Sequence, residues 1–168
     1  MIDNSFIDVK KAKKLLDINK MLTQSLKIEE ILQNLIVAAN ELIEVSDVLI
    51  IYLYDEKSGK LKFAEGEGID KEKLRHIAFS PGESISGKVF VEKKSKLFTS
   101  EQEIDAYMNN MDEENYRYYY QGVYKRKIKS AFCVPIVNKD HCFGIVVVDN
   151  FNQDGIFTKE DMHVIEVI

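Results

Sequence analysis

Two stretches rich in β-branched residues, each centred on a short polar turn, limit what this chain can fold into more than any other feature. The first covers residues 46–68 and turns at Ser58-Gly59. The second, SAFCVPIVNKDHCFGIVVVDN, covers residues 130–150 and turns at 138–141. Strands joined by so short a turn run in opposite directions and pair with each other. The pattern therefore predicts two hairpins in an antiparallel sheet.

Helical spacing marks both ends of the chain. Between residues 8 and 44, apolar side chains recur at intervals of three and four, which predicts two helices. The first helix is placed at residues 5–26. Its apolar face carries Leu15, Ile18, Met21 and Leu22. A closing helix is predicted at 159–168, with Thr158 as N-cap and Asp161 as its capping-box partner, and we expect it to continue into a further domain.

The region between the hairpins is less regular. HIAFS (76–80) and KLFTS (96–100) predict short strands, and ESISGKVFVEKK (83–94) predicts a short helix. Residues 101–129 are polar and aromatic with helical stretches. One face of these stretches carries Tyr116, Tyr120, Val123 and Tyr124.

The segment SPGESISGKVF (80–90) resembles a phosphate-binding loop. Gly82 is followed after four residues by Gly87-Lys88, but Val89 stands where such loops carry the Ser or Thr that binds magnesium. Asp149, at the end of an apolar strand, matches another magnesium ligand of these enzymes. Such a loop works between a parallel strand and a crossover helix, whereas hairpins flank this one. We therefore do not expect nucleotide hydrolysis.

Composition indicates one globular domain over residues 1–168. The net charge of -5 argues against a nucleic-acid surface spread over the whole domain. The longest apolar run, at 48–54, is too short to span a bilayer, and the N-terminus has no signal-peptide pattern. We expect a cytoplasmic location and no membrane partner.

Two cysteines and three scattered histidines offer little chemistry. We expect Cys133 and Cys142 on the two arms of one hairpin, with Cys133 opposite about Val146 and therefore too far from Cys142 to form a disulfide. We therefore expect both cysteines to be reduced and structural. The alternative is that one of them is a redox or reactive thiol. The histidines lack a second ligand at metal spacing, so neither a metal site nor a cofactor is expected.

The tyrosines and the basic run of the middle region have more than one candidate role. The rings of YRYYY (116–120) could cover the sheet as part of the core, stack on a planar ligand, or form a surface for a partner. The run KRKIK (125–129) either binds an anion or forms a solvated face. The sequence alone leaves these alternatives open.

Four segments together resemble the GAF domain, a small-molecule sensory module of signalling proteins. They are AANELIEVSDVLIIYLYDEKSGKL, PGESISGKVF, SAFCVPIVNKDHCFGIVVVDNF and FTKEDMHVI, and the resemblance extends over about residues 12–168. It implies an α+β fold with a central antiparallel sheet of about six strands. The N- and C-terminal helices lie on one face, and a lid of short helices and loops covers the other.

The resemblance also implies a ligand pocket between the sheet and residues 75–129. It further implies that Gly87 allows the short helix to pack closely against its neighbours. The candidate lining residues are Phe79, Ile85, Phe98, Tyr107, Met108, Met111, Tyr116, Tyr119, Tyr120 and Tyr124.

Three branches of the family fit this sequence poorly. Cyclic-nucleotide-binding members carry an Asn-Lys, a downstream Phe and an Asp-Glu pair, where this chain has Asn150-Phe151, Phe157 and Asp161-Met162. Bilin-binding members attach the chromophore to a lid cysteine, which residues 1–132 lack. Members that reduce free methionine sulfoxide use a cysteine where this chain has Ser86, and an alcohol cannot replace a thiolate.

The resemblance thus implies a regulatory domain and not an enzyme. We expect it to bind a small molecule and to relay its occupancy through the terminal helices to an output domain beyond residue 168, in signal transduction or transcription control. We also expect a homodimer formed through those helices and no direct contact with nucleic acid. The alternative is a domain that serves only for dimerisation.

Overall fold

The computed structural model describes residues 8–24 and 28–168, with the side chains of 21–24 left out. The helices of this part are α1 Val9–Gln24, α2 Ile28–Leu42, α3 Lys71–Leu74, α4 Ser84–Glu92, α5 Glu101–Met108, α6 Glu113–Gly122 and α7 Lys159–Glu166. The strands are β1 Val48–Asp55, β2 Lys60–Glu67, β3 Ala78–Phe79, β4 Lys96–Phe98, β5 Ser130–Asn138 and β6 His141–Asn150.

The strands form one antiparallel sheet in the order β3-β2-β1-β6-β5-β4. Both predicted hairpins are present, as β1–β2 and β5–β6, and they join through β1 and β6, where Val48 lies opposite Asp149. The predicted α+β sheet of six strands is confirmed. No parallel pair for a phosphate-binding loop occurs among these strands, and Lys88 Nζ instead donates to the backbone carbonyl of Tyr107 at 2.6 Å.

Each face of the sheet carries its own apolar core. Because side chains alternate along a strand, Val48 and Ile50 point to the face covered by α4, α5 and α6, while Leu49 and Ile51 point to the other. The second face packs against α1, α2 and α7, as the family resemblance implied. We call α4, α5, α6 and the loops that connect them the lid, which comprises residues 80–95 and 99–129 and excludes β4.

The terminal helices follow the predicted patterns with small differences. Ile18 of the predicted α1 face is buried and Leu15 is half-buried, whereas the side chains of Met21 and Leu22 and residues 5–7 and 25–26 lie outside the described part. The capping box of α7 is present, with Thr158 N donating to Asp161 Oδ2 at 2.9 Å. The sequence pattern gave no sign of α3, a single turn.

The hairpin register differs by one residue from the prediction for the cysteines. Cys133 lies opposite Val147 and not Val146, because a bulge opposite Ile136 and Val137 adds one residue, Phe143, to β6. Both thiols are free and buried. Burial raises the pKa of Cys133 well above its ordinary value, which keeps that thiol protonated.

Candidate ligand pocket beneath the lid

A small cavity lies between the sheet and the lid. Its volume is about 20 Å³, enough for about one water molecule. Strands supply its floor, and α4, α5 and α6 supply its roof. The lining residues are Ile50, Tyr52, Phe79, Ser84, Ile85, Ser86, Met108, Met111, Tyr119, Ile128, Val147 and Asp149.

Asp149 brings a carboxyl group into this apolar space. Successive side chains of β6 point to opposite faces of the sheet. Val148 is buried in the core beneath α1, α2 and α7, whereas Val147 and Asp149 face the lid. The side chain of Asp149 is fully buried, and its Oδ2 accepts a hydrogen bond from the Tyr119 hydroxyl at 3.2 Å. Its Oδ1 is buried with no hydrogen-bond partner.

The electrostatics of the cavity follow from this one group. Burial raises the pKa of Asp149 from 3.8 to about 7, although the Tyr119 hydrogen bond and the charge of Arg126 act in the opposite direction. Burial, reinforced by the Asp149 charge, also raises the pKa of both Tyr52 and Tyr119 above the ordinary value. The two phenols stay protonated, so Tyr119 acts as the donor to Asp149.

Ser84 enters the cavity from a strained backbone position. It is a non-glycine residue with a φ of 57°, in the left-handed region, and it is buried at the start of α4. Asn110, in the loop between α5 and α6, holds it there. The backbone N–H of Ser84 donates to Asn110 Oδ1 at 2.9 Å, and Asn110 Nδ2 donates to the carbonyl of Gly82 at 2.9 Å.

Glu83 ties the same turn to the α5–α6 loop. Its Oε1 accepts from the backbone N–H of Ser80 at 3.0 Å. Its Oε2 accepts from the N–H of Asp112 at 3.0 Å and from Asn115 Nδ2 at 2.8 Å. Asn115 also exchanges hydrogen bonds with the backbone of Ala78. We call Glu83, Asn110, Asp112 and Asn115 the lid latch, because they fasten the lid loop to the edge of the cavity.

A second, wider depression lies on the outside of the lid. This groove, of about 280 Å³, runs between α5, α6 and the segment 126–128. Met108, Tyr119 and Ile128 line both the groove and the cavity. These three side chains therefore separate the buried carboxyl group from the open groove.

The structure brings five of the ten candidate pocket residues together at the cavity: Phe79, Ile85, Met108, Met111 and Tyr119. Tyr116 and Tyr120 line the outer groove instead, stacked on each other and half exposed. Phe98 and Tyr107 pack edge to face at 5.1 Å and do not line the cavity. Tyr124 lies beyond the end of α6 and is 60% exposed.

Sequence reasoning missed seven lining residues as parts of the pocket: Ile50, Tyr52, Ser84, Ser86, Ile128, Val147 and Asp149. The sequence carried a usable signal for Asp149. Side chains alternate along a strand, so Asp149 points to the same face of β6 as Ile145 and Val147, which face the lid. A carboxylate in phase with the buried face of an apolar strand indicates a functional group. No comparable signal marks Ser84, whose conformation depends on contacts with the distant Asn110.

The basic run 125–129 makes its contacts within the protein. Lys127 pairs with Glu101 at 3.5 Å and Asp105 at 3.3 Å, and Lys129 pairs with Glu101 at 3.6 Å. Arg126 donates to two backbone carbonyls and lies 4.3 Å from the ring centre of Phe151. These contacts favour a solvated, internally paired face over an anion site.

The positions that correspond to the cyclic-nucleotide motif have structural contacts here. Asn150 Nδ2 donates to the carbonyl of Val45 at 2.8 Å, and its Oδ1 accepts from the N–H groups of Asn152 and Gln153. Asp161 completes the capping box of α7. In the described residues, no group of three His, Cys, Asp or Glu side chains is placed to hold a metal ion.

A family model for the GAF domain matches residues 27–168. The chain belongs to the GAF domain family. A GAF domain is a regulatory module that binds small molecules, and the cavity lies beneath the lid, where the family resemblance placed the pocket. None of the helices in the described parts of this GAF domain has the length and apolar character that a bilayer span requires.

Solved structures similar to this GAF domain come from proteins of different activity. The GAF domain of an Acinetobacter phosphoenolpyruvate-protein phosphotransferase has a TM-score of 0.79 and 16% identity, over 95% of this chain and 88% of that one. A free methionine-R-sulfoxide reductase from Neisseria meningitidis, in complex with its substrate, has a TM-score of 0.66 and 16% identity, over 95% and 86%. Residues 122 to 287 of a methyl-accepting chemotaxis protein have a TM-score of 0.71 and 16% identity, over 89% and 88%. At these identities the likeness shows the fold alone, and no curated protein matches the sequence.

Proposed function

We propose that this GAF domain is a cytoplasmic sensory domain that binds a small molecule beneath the lid and relays its occupancy to an output domain in signal transduction or transcription control. The observation that carries the proposal is Asp149 Oδ1, a buried acceptor without a partner in a cavity roofed by a latched lid. A buried polar group left unpaired costs about 1–3 kcal/mol, so a ligand that satisfies it gains that free energy on binding.

Ligand binding requires the lid to move. A cavity of about 20 Å³ holds no metabolite, so Met108 and Met111 have to shift before a larger molecule enters. Both side chains are only partly buried, and methionine adapts its shape readily. The outer groove gives the shortest access, because Met108, Tyr119 and Ile128 separate it from the cavity. The closed lid and the lid displaced by a ligand would be the two states that a sensor needs.

A physical connection leads from the cavity to the terminal helices. Asn150, the neighbour of Asp149, hydrogen-bonds Val45 just after α2 and the backbone of residues 152–153 on the way to α7. Asp47 accepts from the N–H of Phe151 at 2.8 Å in the same cluster. A shift of β6 on ligand binding would therefore reach both α2 and α7.

We further propose that the domain is not a methionine sulfoxide reductase. Ser86 lines the cavity where the reductases carry a cysteine, and neither Cys133 nor Cys142 lines it. A hydroxyl group cannot provide the thiolate or form the disulfide of that reaction. Reduction of free methionine sulfoxide above background by the purified protein would contradict this assignment.

A thermal-shift screen of metabolites tests the sensory function. We expect at least one compound class to raise the unfolding midpoint of the wild type. The same compounds should lose this effect in Ser86→Val, whose added carbon atoms fill the cavity, and keep it in Tyr124→Phe, which changes an exposed ring. Absence of any stabilising compound across a broad library would contradict the function, as would equal stabilisation of Ser86→Val.

The second candidate function is dimerisation alone. Val9 is 87% exposed and Leu16 70% exposed on α1, which leaves apolar surface on a terminal helix. Ile18 is buried in the domain core, so a substitution there would test folding and not assembly. Sedimentation of Leu16→Glu against Gln153→Glu, an exposed loop variant with the same charge change, separates the effects. A dimer lost only in Leu16→Glu supports this role, and a wild-type monomer excludes it.

A further inference from the structure

The lining of the cavity contains one ionisable carboxyl group and no basic side chain. Asp149 is the charged residue among those that line it. The nearest basic group that influences its pKa is Arg126, which is already held in place. Arg126 Nε donates to the carbonyl of Val123 at 2.8 Å, and its Nη2 donates to the carbonyl of Gly68 at 3.0 Å. Among the described residues, therefore, no basic side chain lines the cavity beside Asp149.

The hydrogen bonds of Asp149 leave one acceptor position for a ligand. Tyr119 occupies Oδ2, and the buried Oδ1 has no donor. An anionic ligand would meet this carboxyl group with no lysine or arginine in the lining to offset the repulsion. A ligand with an N–H donor would complete the coordination, and a charged donor would form the stronger bond.

Aromatic rings surround the same group. Tyr52, Phe79 and Tyr119 line the cavity together with Asp149, and the rings of Tyr52 and Phe79 lie 5.2 Å apart in an edge-to-face arrangement. The faces of such rings attract cations. The remaining walls are aliphatic, from Ile50, Ile85 and Val147, and suit an apolar body.

We propose that the ligand of this pocket is a small amine, cationic at neutral pH, which donates an N–H to Asp149 Oδ1 and places an apolar body between the sheet and the displaced Met108 and Met111. This inference deepens the proposed sensory function and rests on it. Asp149 and Tyr119 select the donor end of the ligand, and the aliphatic walls select its body.

Proton linkage accompanies such a ligand. Burial raises the pKa of free Asp149 to about 7, and the ammonium group would lower it again, so the carboxyl group releases its proton on binding below pH 7. Three other ionisable groups interact with Asp149 from within the core: burial raises the pKa of Tyr52, Tyr119 and Cys133, and all three stay neutral in this range. The charge of Arg126 lowers the pKa of Asp149, and the charge of Asp47 raises it.

Matched fragments test the ligand class. Each set consists of an amine, an alcohol and a carboxylate that carry the same apolar group, from butyl to phenethyl. Saturation-transfer NMR at pH 8 would compare how tightly the members of each set bind. We expect amines to bind and their alcohol and carboxylate counterparts to bind at least about tenfold more weakly. The affinity of a bound amine should fall by up to about tenfold for each pH unit below 7. This pH series needs only the wild type.

Asp149→Asn isolates the carboxyl group, since the amide keeps its shape and an acceptor for Tyr119. We expect it to weaken amine binding at least about tenfold, while Asp154→Asn, an exposed loop variant, leaves it unchanged. Equal binding of amines to Asp149→Asn overturns the inference. Alcohols or carboxylates that bind the wild type but not Ser86→Val also overturn it, yet preserve the sensory function. If no fragment of any class binds, both proposals fail.

Discussion

At the scale of single residues, Asp149 is where stability and ligand binding conflict. An apolar side chain would suit the end of β6 better, because this carboxyl group is fully buried and one of its oxygens has no partner. The cost appears in the pKa, which burial raises from 3.8 to about 7. We interpret this cost as stability given up to keep an acceptor ready for a ligand.

The raised pKa predicts a specific dependence of stability on pH. Between about pH 4 and 7 the folded protein keeps a proton on Asp149 that the unfolded chain has released, so the free energy of unfolding falls as pH rises. The full loss, about 4 kcal/mol, is reached above pH 7. Asp149→Asn lacks this loss and should become more stable than the wild type as pH rises from 4 to 8, as measured by urea unfolding.

The exposed variant Asp154→Asn provides the control for this series. It carries the same chemical change and should follow the wild type at every pH. Parallel stability curves for Asp149→Asn and the wild type would show that Asp149 titrates at its ordinary pKa, and the electrostatic description of the cavity would then be wrong.

At the scale of elements, α4 depends on a close contact that only glycine permits. A Cβ atom on Gly87 would collide with the carbonyl oxygen of Ser80 and lie 2.9 Å from the N atom of Gly82, both in the turn before the helix. We predict that Gly87→Ala lowers the free energy of unfolding by about 1–3 kcal/mol, since neither backbone atom can yield easily. Val91→Ala, on the exposed side of the same helix, should change it by less than about 0.5 kcal/mol in the same urea unfolding experiment. Equal effects would show that the turn adapts.

The lid latch predicts where the protein opens locally. Glu83→Ala removes the side-chain acceptor of the Ser80 and Asp112 N–H groups, and it leaves Asn115 Nδ2 with only the carbonyl of Ala78. We expect faster amide hydrogen exchange in residues 109–116, with β1 and β6 still protected, because the latch hydrogen bonds described above reach β3 but neither β1 nor β6. Exchange measured by mass spectrometry checks this against Glu92→Ala, an exposed residue of α4. Unchanged exchange in 109–116 would mean that other contacts hold the lid.

At the scale of the whole molecule, the sheet was predictable and the lid was not. The hairpins follow from turns a few residues long, so local pattern determines β1–β2 and β5–β6. The inward side of α6 does not follow from pattern, because YRYYY places aromatic rings on every side of the helix. Asn115 and Tyr119 face inward, whereas Tyr116 and Tyr120 face the outer groove. Contacts between residues far apart in the sequence, such as Asn115 with Ala78, determine which side of α6 faces inward.

The cavity depends on pairings that no local window contains. Val48 and Asp149 are neighbours across β1 and β6, and Ser84 takes its strained conformation from Asn110 in the next loop. Phe79 and Ile85 were predicted correctly because they lie on short apolar segments with one inward side, whereas Met108, Met111 and Tyr119 lie on polar lid segments. Ser84 and Ser86 were missed because their burial becomes visible only once the lid is in place, whereas the position of Asp149 on β6 was a usable signal.

The crystal structure of the domain with its tightest-binding compound tests the central claim most directly. The account predicts a ligand in the cavity under α5 and α6, with a polar atom within hydrogen-bond distance of Asp149 Oδ1 and with Met108 and Met111 displaced from their present positions. A ligand bound elsewhere, with the cavity still closed at about 20 Å³ and Asp149 Oδ1 still unpaired, would contradict it.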